Sequence, residues 1–426
     1  MMTTTHPDNR SLLIALYHEA VRAALPSVIL PAHLPPRPKG RFVIFAIGKA
    51  AAAMAAAAEA HYADGPLEGI ALTRHGHGLK TRYIEVIEAG HPVPDANGVK
   101  ATARIMAMAA SLGPDDFALV LISGGGSALA TMPIDGVTLE DKQRLTKVLL
   151  KSGAPIHDIN ILRKHLSRIK GGRLAAAIAP ARSLTLAISD VAGDDPAIIA
   201  SGPTVPDPST KEDALTILAR WKIEVPPKLI TALKAAPESP KPGDEFFLGT
   251  RYELIASGAS SLEAAAKLAS SQGYEILNLG DGLEGEVQDL ARAHAELALV
   301  AKSQGHRCAI ISGGEASVTL GPKTSGRGGP NQEYALTLAL ALRGAENISA
   351  LAGDTDGIDG GSGAPDDPAG AMIFPNTLRR AAERDLDPQT ALDDHNSGEF
   401  FSLIDDLVKT GPSFTNVNDF RVILIE

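Results

Sequence analysis

The feature that most constrains this 426-residue chain is a series of short, continuously apolar segments separated by Ala- and Leu-rich stretches. The segments are FVIFAI (42–47), GIALT (69–73), FALVLIS (117–123), SLTLAIS (183–189), ELIAS (253–257), YEILNL (274–279), CAIIS (308–312), ISALA (348–352) and RVILI (421–425). They do not alternate polar with apolar residues, which suits strands covered on both faces. Helical stretches fall between them at 49–62, 99–112, 260–272, 285–304 and 331–343. Such alternation predicts an α/β fold of two three-layer α/β/α domains with mostly parallel sheets, the first Rossmann-like. Proline, charge and turn residues crowd 222–250, so domains of 1–240 and 241–426 are expected. The last strand could return to either sheet.

Composition narrows the partners. Hydrophobic residues at 44% and charged residues at 21% exclude wholesale disorder. A net charge of −10 gives no global reason to bind nucleic acid, whose affinity rests on phosphate neutralisation. The single cysteine, Cys308, excludes an intrachain disulfide and a Cys-based metal cluster, and its apolar neighbours predict a buried small hydrophobe. The longest uncharged run, Phe117 to Ile134, contains three consecutive glycines and a proline, which argues against a membrane helix there. SLLIALYHEAVRAAL carries His18, Glu19 and Arg22, so it is a surface-packed helix rather than a signal core. A cytoplasmic protein with no nucleic-acid or membrane partner is expected.

Glycine is where the chemistry shows. Twelve of the 41 glycines fall within 311–363. In an open parallel sheet, ligands bind beyond the carboxyl ends of strands, and glycines there let backbone N–H groups approach an anion. Ser123, Gly124, Gly125, Gly126 and Ser127 follow a strand in that way, and so do Gly313, Gly314 and Glu315. Either loop also reads as a plain strand-end turn. Lys49 in AIGKAA opens an Ala-rich helix, where the helix dipole opposes a cation, so an anion ligand would explain it. Arg327 and Gly328 lie in SGRGG, just before Asn331 opens a helix; a guanidinium on such a loop can fold over a phosphate.

Two acidic loops follow strands: SDVAGDDP, with Asp190, Asp194 and Asp195, and GDTDGIDG, with Asp354, Asp356 and Asp359. Magnesium favours one or two carboxylates plus substrate oxygens, although Asx turns would use the same residues. NILRKHLSRIKGGRL is a basic island; it reads as a solvated helix face whose closing Gly171-Gly172 turn could present Lys170 to a ligand. His75, His77 and His91 lack zinc-ligand spacing and fit hydrogen bonding to loop backbone. No G-x-x-x-x-G-K-[ST], no G-x-G-x-x-G between strand and helix in the first domain, and no G-x-S-x-G occurs, so the P-loop, dinucleotide and hydrolase-elbow fingerprints are missing.

FAIGKAA, LISGGGSAL, RKHLSRIKGGRLA, SDVAGDDPAIIASGPTVPD, ISGGEASVTL, GRGGPNQEYAL and GDTDGIDG together resemble the glycerate 2-kinase family, whose C-terminal part is the MOFRL domain. The resemblance runs from about 10 to 420, with the MOFRL-like region at about 305–420. It implies ATP- and Mg²⁺-dependent phosphorylation of D-glycerate at the 2-hydroxyl, in an active-site cleft between two domains. The family's active-site lysine and arginine fall on Lys49 and Arg327. Asp190 is then the candidate base, and Asp194, Asp354 and Asp356 the candidate metal ligands, though proton and metal roles can exchange among them. The glycine loops, Lys170 and Asn331 would bind nucleotide or glycerate. Two rival readings are an NAD(P)H-dependent hydroxypyruvate reductase and a non-catalytic sugar-acid sensor.

Overall fold

The computed structural model describes residues 7–320, 326–361, 364 and 366–426. They divide into two compact units, one of Ile29–Ile255 and one of Ala256–Glu426 joined by the chain up to Val28.

The first unit is built on a six-stranded sheet. Its strands are β1 (Phe42–Ile47), β2 (Glu68–Arg74), β3 (Glu85–Ala89), β4 (Phe117–Ile122), β5 (Arg182–Ile188) and β6 (Thr250–Ala256), in the order β3-β2-β1-β4-β5-β6. β1 to β5 are all parallel. The order reverses direction at β1, so the loops after β1 and β4 form a topological switch point, where ligands of open α/β sheets bind. β1 is buried along its whole length, as its unbroken apolar sequence demands. The helix Ala51–His61 is almost all alanine, the best helix former. Thr138 with Asp141 and Thr210 with Asp213 close capping boxes on the helices Leu139–Lys151 and Lys211–Arg220.

The second unit holds β7 (Glu275–Asn278), β8 (Glu284–Glu286), β9 (Cys308–Ser312), β10 (Glu315–Ser317), β11 (Ile348–Asp354), β12 (Gly370–Ile373), β13 (Leu407–Val408) and β14 (Asp419–Ile425). Six of them form a sheet in the order β13-β12-β11-β14-β9-β7, and β8 pairs with β10 separately. This sheet is mixed rather than mostly parallel: only β7 and β9 run parallel, and β14 lies antiparallel between β9 and β11. An apolar run covered on both faces carries no mark of its neighbour's direction, which is why the sequence could not distinguish the cases.

The unit borders also differ from the expected ones. The helix Pro7–Arg22 belongs with the C-terminal half, where Leu13, Leu16, Tyr17 and Ala20 pack with Ala265, Phe420 and Leu424. The stretch 222–250 stays in the first unit and carries the helix Pro227–Ala235. Cys308 is buried in the second core. Among the described residues no single helix is long and apolar enough to cross a membrane.

Candidate active site

In the first unit the ends of β1, β2 and β4 are laced together by backbone. Gly48 N–H donates to Leu72 O (3.1 Å), Ser123 N–H to Ile47 O (3.0 Å), and Lys49 N–H to Gly124 O (2.7 Å). Ser123 Oγ accepts from Ala50 N–H (3.0 Å), and Thr73 Oγ1 donates to Lys49 O (3.1 Å). Gly48 has φ +134°, and a Cβ there would overlap Ser123 Oγ, so only glycine lets the two loops meet. Lys49 is therefore half-buried on a backbone held from both sides.

Three side chains converge on the glycine loop. Asp190, from the end of β5, lies against Gly124, with Oδ1 2.8 Å from where a Cβ would stand. His91 Nε2 and Lys49 Cγ lie 2.9 and 3.1 Å from the equivalent point on Gly125. Burial and the charges of Lys49, Arg74 and His77 push the His91 imidazole down to about 4, so it is neutral at pH 7. The local sequence of His91 fits only hydrogen bonding to loop backbone; its nearness to Gly125 is a tertiary fact with no local signal. The helix after this loop, Gly126–Leu129, is one turn, so its dipole contributes little and the loop's own amides carry the anion reading.

Behind the loop, Ser127 Oγ contacts Ser201 Oγ, which donates to Asn160 Oδ1 (3.0 Å). Ala200, Ser201 and Gly202 all have positive φ, at +50°, +60° and +60°. Left-handed non-glycine residues in succession cost about 1–3 kcal/mol each and cluster at functional sites. The basic island is not a solvated face. Lys164 is buried and paired with Asp207 (3.0 Å), while Lys170 is buried with Nζ donating to Ala130 O (2.5 Å). Its helix is Ile156–His165 and ends before the Gly171-Gly172 turn, which instead opens the helix Arg173–Ile178. Only Arg168 of the island is exposed. Asp194 is half-buried, and with burial as the larger cause its charge and that of Asp195 push the Tyr252 phenol up.

In the second unit Arg327 is exposed but its backbone is clamped: its N–H donates to Asn396 Oδ1 (2.9 Å) and its C=O accepts from Gly398 N–H (2.7 Å). Gly326 and Gly328 permit this, since a Cβ on either would overlap the 394–397 loop. Asn331 is buried, with Nδ2 donating to Asp359 Oδ1 (3.2 Å) and Asp419 Oδ1 (2.5 Å). Asp359 also accepts from the N–H groups of Asn331 and Gln332 at the start of the helix Pro330–Leu342. Burial nonetheless pushes Asp359 up to about 7. Asn331 is thus committed to the interior.

The SGGE loop is also used internally. Gly313 O accepts from the buried Arg421 (2.9 Å), and Gly314, at φ +100°, passes so close to Leu283 that no side chain fits. Glu315 is exposed at the start of β10. Asp354 Oδ1 accepts from Asp356 N–H (2.8 Å) and Asp356 Oδ1 from Ile358 N–H (2.9 Å), the Asx-turn arrangement. No group of three or more His, Cys, Asp or Glu residues able to hold a metal occurs among the described residues.

Two family models match the chain. A domain of unknown function, DUF4147, matches residues 12–234, and the MOFRL family matches 308–419. A protein from Agrobacterium vitis, provisionally named hydroxypyruvate reductase, is 47% identical over all of this chain and 96% of its own. A D-glycerate 2-kinase from Thermotoga maritima is 37% identical over 98% of both chains. The crystal structure of glycerate kinase from that organism has TM-score 0.87 at 36% identity, covering 98% of this chain and 99% of that one.

Proposed function

From the premise that this chain belongs to the family of DUF4147–MOFRL proteins that includes those glycerate kinases, we propose that it transfers the γ-phosphoryl of ATP to the 2-hydroxyl of D-glycerate. The observation that carries the reading is the convergence of Lys49, Asp190 and His91 on Gly124 and Gly125 at the switch point of the first sheet.

Phosphoryl transfer needs little covalent help from protein; catalysis is positioning plus charge stabilisation. Lys49 supplies a cation on a fixed backbone, and the amides of Gly124, Gly125 and Gly126 offer donors to an anionic group. Asp190 accepts the proton of the attacking 2-hydroxyl at a carboxylate oxygen. His91, neutral at working pH, adds a donor or acceptor without adding charge repulsion toward Lys49. Arg327 is the second cation, held on a clamped backbone so that only its side chain must order.

Magnesium fits the donor type: Asp354 and Asp356 lie two residues apart on one strand-end loop, and Mg²⁺ asks for only one or two carboxylates beside substrate oxygens and water, so these two would hold it. Asp194 is the alternative ligand from the first unit. The ion would supply charge neutralisation on the phosphate oxygens.

The reductase named for one relative has no dinucleotide fingerprint here to hold its cofactor. ADP release with D-glycerate, run beside NADH oxidation with hydroxypyruvate, tests the reading: ADP with no NADH loss supports it, and the reverse removes it.

A further inference from the structure

A second cluster in the first unit is not used by the reaction described above. Lys142 on the helix Leu139–Lys151 is buried, and among the described residues its Nζ has no hydrogen-bond partner. Lys170 is buried beside it, with Nζ on the carbonyl of Ala130, the residue that ends the Gly126–Leu129 turn. Arg163 is half-buried, one helical turn beyond Asn160, whose side chain reaches Ser201 and through it Ser127 of the glycine loop.

Arg163 acts on both lysines, and Lys142 acts on Lys170. Burial lowers Arg163 and Lys170, the latter far, and the charges of Lys142 and Arg163 lower Lys170 further. Lys142 is brought to about 8, by burial first and then by Arg163, so it still carries its charge at pH 7. Among the described residues none of the three forms an ion pair with a carboxylate. The neighbouring acids are already engaged, Asp141 with Lys228 and Asp207 with Lys164. Burying the Lys142 ammonium without a partner is costly, and the nearby Arg163 charge adds to that cost. Such an arrangement is stable for a purpose when an anion completes it.

We propose that Lys142, Arg163 and Lys170 form a binding site for a carboxylate or phosphate oxyanion, adjoining the back of the 123–127 glycine loop. Arg163, the least buried of the three, is the side from which an anion enters and offers paired donors to two oxygens. Lys142 supplies the ammonium that has no acceptor among the described residues. Lys170 supplies a third donor while its present bond to Ala130 O keeps it aimed along the loop. This deepens the proposed kinase reading, on which it rests for the identity of the anion: the carboxylate of the acceptor acid or a phosphate of nucleotide or product.

The test reads binding without turnover, so a failure of kinase activity and a failure of this site are separable. Inorganic phosphate and D-glycerate are titrated separately, without nucleotide, by calorimetry and thermal shift. The proteins are the full chain and its Lys142→Met, Arg163→Gln and Lys147→Met variants. Lys147 lies on the exposed side of the Lys142 helix and serves as control.

Removing a cation should weaken Kd by at least about tenfold in the first two variants and leave the control unchanged. Lys142→Met without anion should melt no lower than the parent, because a long apolar side chain relieves an uncompensated buried charge. Binding of phosphate alone assigns the site to a phosphate group, and of D-glycerate alone to a carboxylate. Arg163→Gln, at a half-buried position, keeps the test open if Lys142→Met does not fold. Equal Kd within about twofold in parent and variants, or no binding of either anion to the parent, overturns the site.

Discussion

The carboxylate of Asp190 lies directly against the backbone of Gly124, so that a methyl group at position 124 would occupy the place of Asp190 Oδ2. The candidate base and the glycine loop are therefore one mechanical unit, although 66 residues of chain separate them. Gly124→Ala should leave the fold intact and displace Asp190. A misplacement of about 1 Å costs on the order of 10²-fold in rate, and kcat with circular dichroism as the fold check measures it. An unchanged kcat would show that Asp190 is not positioned for the reaction by this contact.

Lys49→Ala and Arg327→Ala should each lower kcat by about 10²–10³-fold, the usual loss when one preorganised donor to a developing charge is removed. Arg327→Lys should recover only part, because an ammonium lacks the planar fork. Arg327 is exposed, so its variants should melt with the parent protein. Wild-type turnover in either alanine variant would discard that cation's role.

His91 makes stability depend on pH in a defined direction. Its folded value, about 4, lies below its ordinary 6.5, so the unfolded chain binds the extra proton between those values. The contribution is fully present above about 6.5 and is lost as pH falls toward 4. Melting curves of His91→Gln should therefore lose less stability than the parent over that interval. A variant with the same pH slope as the parent would place the His91 imidazole in an ordinary solvated environment.

Asn331 separates a structural from a ligand-binding role. Its amide group is shared by two buried carboxylates, Asp359 and Asp419. Asn331→Leu removes that donor and should destabilise the second unit by roughly 2–6 kcal/mol, since it orphans two buried bonds at about 1–3 kcal/mol each. The measurement is chemical denaturation, together with KM for D-glycerate at a temperature where the variant is folded. A raised KM at unchanged stability would return Asn331 to the ligand side.

How much of this was legible in the sequence follows physical lines. The strand–glycine–helix order around Lys49 and Ser123 marks a strand-end loop locally, and the structure brings both residues together there. Asp190 was visible as an acid after a strand, but its seat against Gly124 was not, because that contact depends on which strands are neighbours. Lys142 left no trace. In LEDKQRLTKVLLK, periodicity separates an apolar from a polar face but does not say which cation turns inward. Gly313, Gly314 and Asn331 are ambiguous in the sequence: glycine at a close backbone approach and an amide at a buried helix start use the residue types that a ligand loop uses. The helix Pro7–Arg22 carries an amphipathic pattern that fits either unit, and only packing with Phe420 and Leu424 decides.

Everything proposed for the site turns on a phosphoryl group passing to the 2-hydroxyl of D-glycerate. Phosphorus NMR of the products from purified protein, ATP and D-glycerate tests it most directly. The expected products are 2-phosphoglycerate and an equal amount of ADP. Formation of 3-phosphoglycerate alone, or no ADP at saturating D-glycerate, would contradict it.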